Sequence, residues 1–313
     1  MGRLKIRLFG TFDVWHQQQA VAGLEPRKAQ ELLAYLLLHD DRAHSREMLG
    51  NLMWPRSTTT QGRKHLRHTL WQLRSALASA SGDGSLDPLS VDHDWIRIDP
   101  EADLWLDTRE LERAYHLVQS APGGTFDPQE ANAVQQALDL YRGDLLEGCY
   151  EAWCLFERER LQGLYLALLG KQMTYYEAHG DYALGLACGM RALQCDVAHE
   201  RIHRRMMRLR YLAGDRTGAV RQYQQCVAFL RDELDVEPSA RTVALYERIR
   251  AGRPLTDRRA AAGRSQPRAS GKRLLSPPEA LKELEQLQIA FSELQHQLET
   301  TIETVQAVLS EDD

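Results

Sequence analysis

Residues Thr58–Leu77 read TTTQGRKHLRHTLWQLRSAL, and this stretch decides how the flanking segments are read. Thr58-x-x-Gln61 has the pattern of a capping box, in which the Thr hydroxyl and the Gln side chain satisfy amides left open at a helix start. Leu66, Leu70, Leu73 and Leu77 follow at spacings of four, three and four, which places them on one helical face. The opposite face carries Arg63, Lys64, Arg67, His68, Trp71 and Arg74, and no Asp or Glu falls between Thr58 and Leu77. A helix anchored on one side and cationic on the other suits the major groove of DNA. Cations there neutralise phosphates, and polar side chains reach base edges. The same pattern also describes a solvated basic face, and the preceding segments favour the groove reading.

Upstream, Arg3 to Phe9 alternates strictly, with Leu4, Ile6 and Leu8 against Arg3, Lys5 and Arg7, as in a half-buried strand. Gly10 interrupts it, and Thr11 to Val21 has room for one or two further short strands. Pro26 then opens a helix over Arg27–His39 with Ala29, Leu32, Leu33, Leu36 and Leu37 inward. His44-Ser45 caps a shorter helix, Arg46 to Trp54, with Met48, Leu49 and Leu52 as its core and Pro55 ending it. Downstream of the basic helix, a Gly/Asp/Ser loop leads to a hairpin between Leu89 and Ile98. Strands, three helices and a terminal hairpin describe a winged helix-turn-helix over residues 1–100.

With LFG, PRKAQELLAYLLLH, SREMLGNLMWP and KHLRHTLWQLRSAL in that order, the segment resembles the OmpR-type winged helix of the Streptomyces antibiotic regulatory protein (SARP) family. The resemblance implies that Lys64 and Arg74 contact the DNA backbone and that Arg67, His68, Trp71 and Gln72 face the groove, Arg67 and Gln72 reading guanine or adenine edges. Trp71 departs from the small or polar residues usual there, and either contacts a thymine methyl or sugar or packs against the domain body. The hairpin tip, Asp92-His93-Asp94, is acidic where related wings are basic or glycine-rich. Arg97 is therefore the wing residue expected on DNA, with pairing to one of those aspartates as the alternative.

From Asp103-Leu104-Trp105-Leu106 onward the pattern is helical. Asp107, with Glu110 three residues on, reads as a helix cap, and Asp127-Pro128-Gln129-Glu130 repeats the device. Gly180-Asp181 and Gly214-Asp215 lie 34 residues apart, and Gly185 with Ala219 and Ala192 with Cys226 match at the same offset. That is the tetratricopeptide (TPR) period, with small residues where paired helices approach closely. The segments YRGDLL (141–146), ERERL (157–161) and DVEPS (235–239) resemble the bacterial transcriptional activator domain (BTAD) that follows the winged helix in SARP proteins. The two resemblances together span residues 3–252, and the second domain is placed at 101–252.

Residues 253–278 carry seven basic residues and one acidic residue among Gly, Ala, Ser and Pro, a composition that reads as a flexible tether. Ser276-Pro277-Pro278-Glu279 then signals a new helix start. Leu284, Leu287, Phe291, Leu294 and Leu298 follow a heptad, and Ile302 continues it after a shifted step. Residues 279–313, with nine carboxylates against one lysine, thus read as an acidic coiled-coil helix that self-associates, folds back on the solenoid or binds another protein.

The net charge of −5 conceals segregation: residues 1–80 have 12 basic and 6 acidic residues, and residues 81–252 have 19 and 28. This describes a basic DNA-facing head on an acidic body. Five cysteines form no CxxC pair and read as buried thiols in helices. Cys195, His199 and His203 would align as metal ligands on one unbroken helix, but Asp196-Val197 falls at the turn between repeats, so no metal or other cofactor is expected. There is no P-loop, GxGxxG or GxSxG, and no enzyme is expected. No stretch of 18 apolar residues suggests a membrane span.

The expected fold is mainly α with a small β component: an N-terminal winged helix-turn-helix, a central TPR-like α-solenoid and a C-terminal coiled-coil helix. The expected function is a cytoplasmic, nucleoid-associated transcriptional activator. It would bind repeated promoter sites in double-stranded DNA and help recruit RNA polymerase, with homo-oligomers formed through the BTAD and the C-terminal helix. The alternative is a TPR-type adaptor whose winged helix makes protein contacts.

Overall fold

A computed structural model of the protein describes residues 3–81, 87–120 and 125–255. Residues 256–278 of the tether expected at 253–278, and the predicted coiled-coil positions Leu284, Leu287, Phe291, Leu294, Leu298 and Ile302, lie outside the described residues.

The chain begins with β1 (Leu4–Arg7), β2 (Asp13–His16) and β3 (Gln19–Ala20), joined as an antiparallel meander. Leu4 and Ile6 are fully buried, as the alternation requires, while Lys5 faces solvent. Next come α1 (Arg27–Leu38), the short β4 (His44–Ser45), α2 (Arg46–Met53) and α3 (Thr59–Ser81). On α1 the expected Ala29, Leu32, Leu33, Leu36 and Leu37 are all buried. Ser45 caps α2 by accepting from the Met48 amide at 3.1 Å.

The core of α2 differs from the expected set: Leu49, Gly50 and Met53 are buried, whereas Met48 and Leu52 are half-buried. The phase is fixed by a close helix crossing. A Cβ on Gly50 would sit 3.3 Å from the Gly62 carbonyl carbon, and one on Gly62 the same distance from the Gly50 oxygen. The two backbones therefore meet where neither helix carries a side chain.

A hairpin of β5 (Leu89–Val91) and β6 (Trp95–Ile98) follows α3, and β4 pairs with β6 to make a three-stranded sheet. The sequence then supplies a strand that its pattern did not announce, β7 (Leu104–Leu106). It pairs parallel with β1, Leu4 opposite Leu104 and Ile6 opposite Leu106, and closes a sheet in the order β3-β2-β1-β7.

The helix α4 (Asp107–Val118) starts directly from β7. Asp107 is not its N-cap, a position held by Leu106. Instead the buried Asp107 carboxylate accepts from the amides of Leu8 (2.9 and 3.0 Å), Phe9 (3.0 Å) and Thr108 (2.8 Å). Burial pushes its carboxyl above the ordinary value, and these donors pull against that shift.

α5 (Pro128–Leu140) does carry the expected cap, with both bonds of the Asp127/Glu130 box formed. The segment Tyr141–Cys149 is irregular and runs back onto the N-terminal sheet. Gly10 N–H donates to Asp144 O at 2.8 Å, Leu146 N–H to Leu8 O at 2.8 Å and Glu147 N–H to Gly10 O at 2.9 Å. Arg158 fixes this segment from behind through the carbonyls of Leu145, Leu146 and Cys149. One hydrophobic cluster runs from Leu4 to Leu209, and residues 1–255 form one unit across the boundary expected at residue 100.

Two helix pairs carry the repeat: α6 (Ala152–His179) with α7 (Tyr182–Cys195), and α8 (Glu200–Leu212) with α9 (Arg216–Leu234). Gly180 (φ 81°) and Gly214 (φ 85°) make the tight turns in the left-handed region that favours glycine. A Cβ on Gly185 would lie 2.9 Å from Leu209 Cδ1, and the matching Ala219 is fully buried. The small residues thus sit where helices approach, as the repeat implies.

α10 (Ala240–Arg250) closes the solenoid, and Leu255 packs with Met207, Ala219 and Ile249. The body therefore extends three residues beyond the expected start of the tether at residue 253. No helix among the described residues is long and apolar enough to cross a membrane.

Candidate nucleic-acid interface

The start of α3 is fixed as its sequence suggests. Thr58 N–H donates to Gln61 Oε1 at 3.3 Å, and Gln61 N–H to Thr58 Oγ1 at 3.4 Å. Leu66, Leu70, Leu73 and Leu77 are buried, so the helix cannot rotate without exposing them. This holds Arg63, Lys64, Arg67, His68, Trp71 and Arg74 in solvent.

The structure divides these cations into two groups that sequence spacing did not separate. Arg63 is paired with Glu47 of α2 at 2.9 Å, and Arg74 with Asp87 ahead of β5 at 2.6 Å. Lys64 and Arg67, between them on the helix, form no ion pair among the described residues. Exposed pairs of this kind hold side chains only weakly and exchange readily for phosphate.

Trp71 is 65% exposed and stacked with His68 at 6.1 Å and 19°. It therefore does not pack against the domain body. His65 stacks on Trp54 at 5.7 Å and 28° instead of joining that pair. Gln72 is half-buried, set back beside the exposed row.

Arg97 on β6 is exposed and forms no ion pair among the described residues, so the pairing with the tip aspartates is not made. The tip is organised by Arg46, whose backbone N–H donates to Asp94 O and whose guanidinium donates to Asp92 O. A groove of about 1180 Å³ separates the tip from α2 and the first half of α3, lined among others by Arg46, Thr60, Arg63, Lys64, Arg67 and His93. Sequence reasoning missed Arg46 and Thr60 in this groove, because both carry ordinary helix-start signals.

The arrangement offers, among the described residues, two cations without an ion pair at its centre, two paired cations at its flanks and a projecting indole, all on one helix. Among the described residues, no group of three His, Cys, Asp or Glu is placed to hold a metal ion. His203 shows why the Cys195/His199/His203 spacing does not become a site. α7 ends at Cys195 and α8 begins at Glu200, and both His203 ring nitrogens are engaged, by Val197 O and Gln222 Nε2, each at 2.8 Å. All five cysteines are free, and Cys149, expected in a helix, lies in the irregular segment before α6.

Residues 106–250 match the family model for the bacterial transcriptional activator domain. No curated protein matches the chain. Among solved structures, the chain is similar to Mycobacterium tuberculosis EmbR in complex with a low-affinity phosphopeptide. The identity is 21% and the TM-score 0.69, over 84% of this chain and 69% of EmbR. That similarity extends the shared fold well beyond the helical domain to the small N-terminal sheets. Residues 106–250 are thus similar to the bacterial transcriptional activator domain, and the chain shares its fold with EmbR.

Proposed function

We propose that the protein is a sequence-specific DNA-binding regulator, and not an enzyme, that activates transcription from repeated promoter sites. The observation that carries this reading is the exposed row of α3, in which Lys64 and Arg67, without an ion pair among the described residues, are held by four buried leucines on the opposite face. In this reading Lys64 and Arg74 set register on phosphates. Arg67, His68, Trp71 and Gln72 face base edges, Arg63 exchanges Glu47 for phosphate, and Arg97 approaches the minor groove.

The helical domain would place two heads along the promoter and help recruit RNA polymerase, with further self-association through residues 279–313. The site of action is the cytoplasm, on the nucleoid. A second reading, a TPR-type adaptor, draws on Tyr150 and Phe156, which are 76% and 67% exposed beside the start of α6.

Fluorescence anisotropy on a duplex selected from a random pool tests the proposal. Arg67→Ala should cost about 1–3 kcal/mol and relax preference at one base position. Lys64→Ala should weaken binding to all sequences alike and make the salt slope shallower by about one. If both variants bind as tightly as the parent, α3 is not the reading element. A salt-independent affinity would favour the adaptor reading.

A further inference from the structure

The solvent face of the N-terminal sheet carries a second cationic surface, built differently from α3. Lys5 is in register with Trp15 on one side and Trp105 on the other, so one cross-strand row reads Trp–Lys–Trp. Lys5 Nζ lies 4.6 Å over the Trp105 ring, and Arg7 Cζ lies 4.7 Å over the Trp15 ring. Arg3 is tied to Asp103 at 3.5 Å, whereas Lys5 and Arg7 form no ion pair among the described residues. The Arg7 Nε is buried and has no acceptor among the described residues. With Gln17 and Gln18, both exposed and at φ 47° and 69° in the turn after β2, these side chains line a groove of about 720 Å³.

Two cations that form no ion pair among the described residues can take a partner's carboxylates, and charge-assisted hydrogen bonds of this kind are the strong ones. Stacking on the two indoles fixes both cations before any partner arrives, which lowers the ordering cost of binding. Lys5 and Arg7 stand two residues apart on one strand face, roughly 6.7 Å along the chain. Carboxylates on alternate residues of an extended segment repeat at that same distance.

A single-stranded nucleic acid fits less well. Base stacking needs open aromatic faces, and each indole here already has a cation over its ring. The geometry points to a docking site for an extended acidic protein segment whose carboxylates fall at alternate positions. Lys5 and Arg7 bind those carboxylates, and Trp15 and Trp105 hold the two cations in place for them. This site does not depend on DNA binding by α3.

The test uses the full chain and three fluorescein-labelled probes: a peptide of alternating Glu and Val, a peptide of the same composition with its glutamates clustered, and an oligothymidine. The alternating peptide should bind most tightly, and Lys5→Gln with Arg7→Gln should weaken it by roughly tenfold or more. Circular dichroism reports whether the variant keeps the parent's fold. A charge-reversed variant, Lys5→Glu with Arg7→Glu, should instead take an alternating Lys/Val peptide, a gain that misfolding cannot produce. Equal binding of the two acidic peptides, an unchanged affinity in the Gln variant, or tighter binding of oligothymidine on this face would each overturn the proposal.

Discussion

Asp107 offers the sharpest test of how the two halves of the body are joined. Its carboxylate is 1% exposed and accepts from Leu8, Phe9 and Thr108, so it ties the end of β1 to the start of α4. Asp107→Ala removes the acceptor of the Leu8 and Phe9 amides, both buried. An orphaned buried N–H costs about 1–3 kcal/mol. Relief from no longer burying a carboxylate offsets part of that, leaving a net loss of about 2–4 kcal/mol. Asp107→Asn retains one carbonyl oxygen but turns an NH2 group toward backbone donors, so its loss should fall between the parent and the Ala variant. Asp103→Ala is the control: it breaks only an exposed pair with Arg3, 51% and 61% exposed, and should change stability by less than about 1 kcal/mol. Urea unfolding followed by tryptophan fluorescence and by far-ultraviolet circular dichroism measures all three. An Asp107→Ala loss no greater than that of Asp103→Ala would refute the tertiary role assigned to this carboxylate.

Other outcomes follow from particular contacts. His203 is fully buried, and burial lowers its pKa below the ordinary 6.5. The unfolded chain therefore takes up a proton first, and stability should fall as pH drops below 6.5, by at most about 1.4 kcal/mol per pH unit. His203→Asn should flatten that slope in calorimetric scans from pH 7.5 to 5, each pH being about one titration step apart. Gly62→Ala sets a Cβ 3.3 Å from the Gly50 oxygen. The overpacking cost of about 1–3 kcal/mol should exceed the helix-propensity gain of about 1 kcal/mol, and a raised melting temperature would contradict the close crossing. Ending the chain at Leu255, which keeps the cluster with Met207 and Ile249, should leave the body folded but lower the number of chains per particle found by light scattering if residues 279–313 self-associate.

What the sequence determined by itself is whatever a short window contains. The alternation of Leu4 and Ile6, the leucine spacing on α1 and α3, and the boxes at Thr58/Gln61 and Asp127/Glu130 are local periodicities and local hydrogen bonds. The 34-residue offset of Gly180 and Gly214 marked the turns of the helix pairs. These signals placed the exposed row Arg63–Arg74 on one helix face. Other features depend on residues brought together from far along the chain. A strand of three residues, Leu104–Leu106, has too little alternation to announce itself, and parallel pairing with β1 leaves no turn signature between the partners. An aspartate at a helix start reads as a cap whether its oxygens meet its own first turn or, as at Asp107, amides 98 and 99 residues away. The pairing of Arg63 with Glu47 and Arg74 with Asp87, the outward Trp71 and the phase of α2 were likewise decided by packing. A side chain's partner is chosen by which backbones can approach, and here Gly50 and Gly62 set how closely α2 and α3 meet.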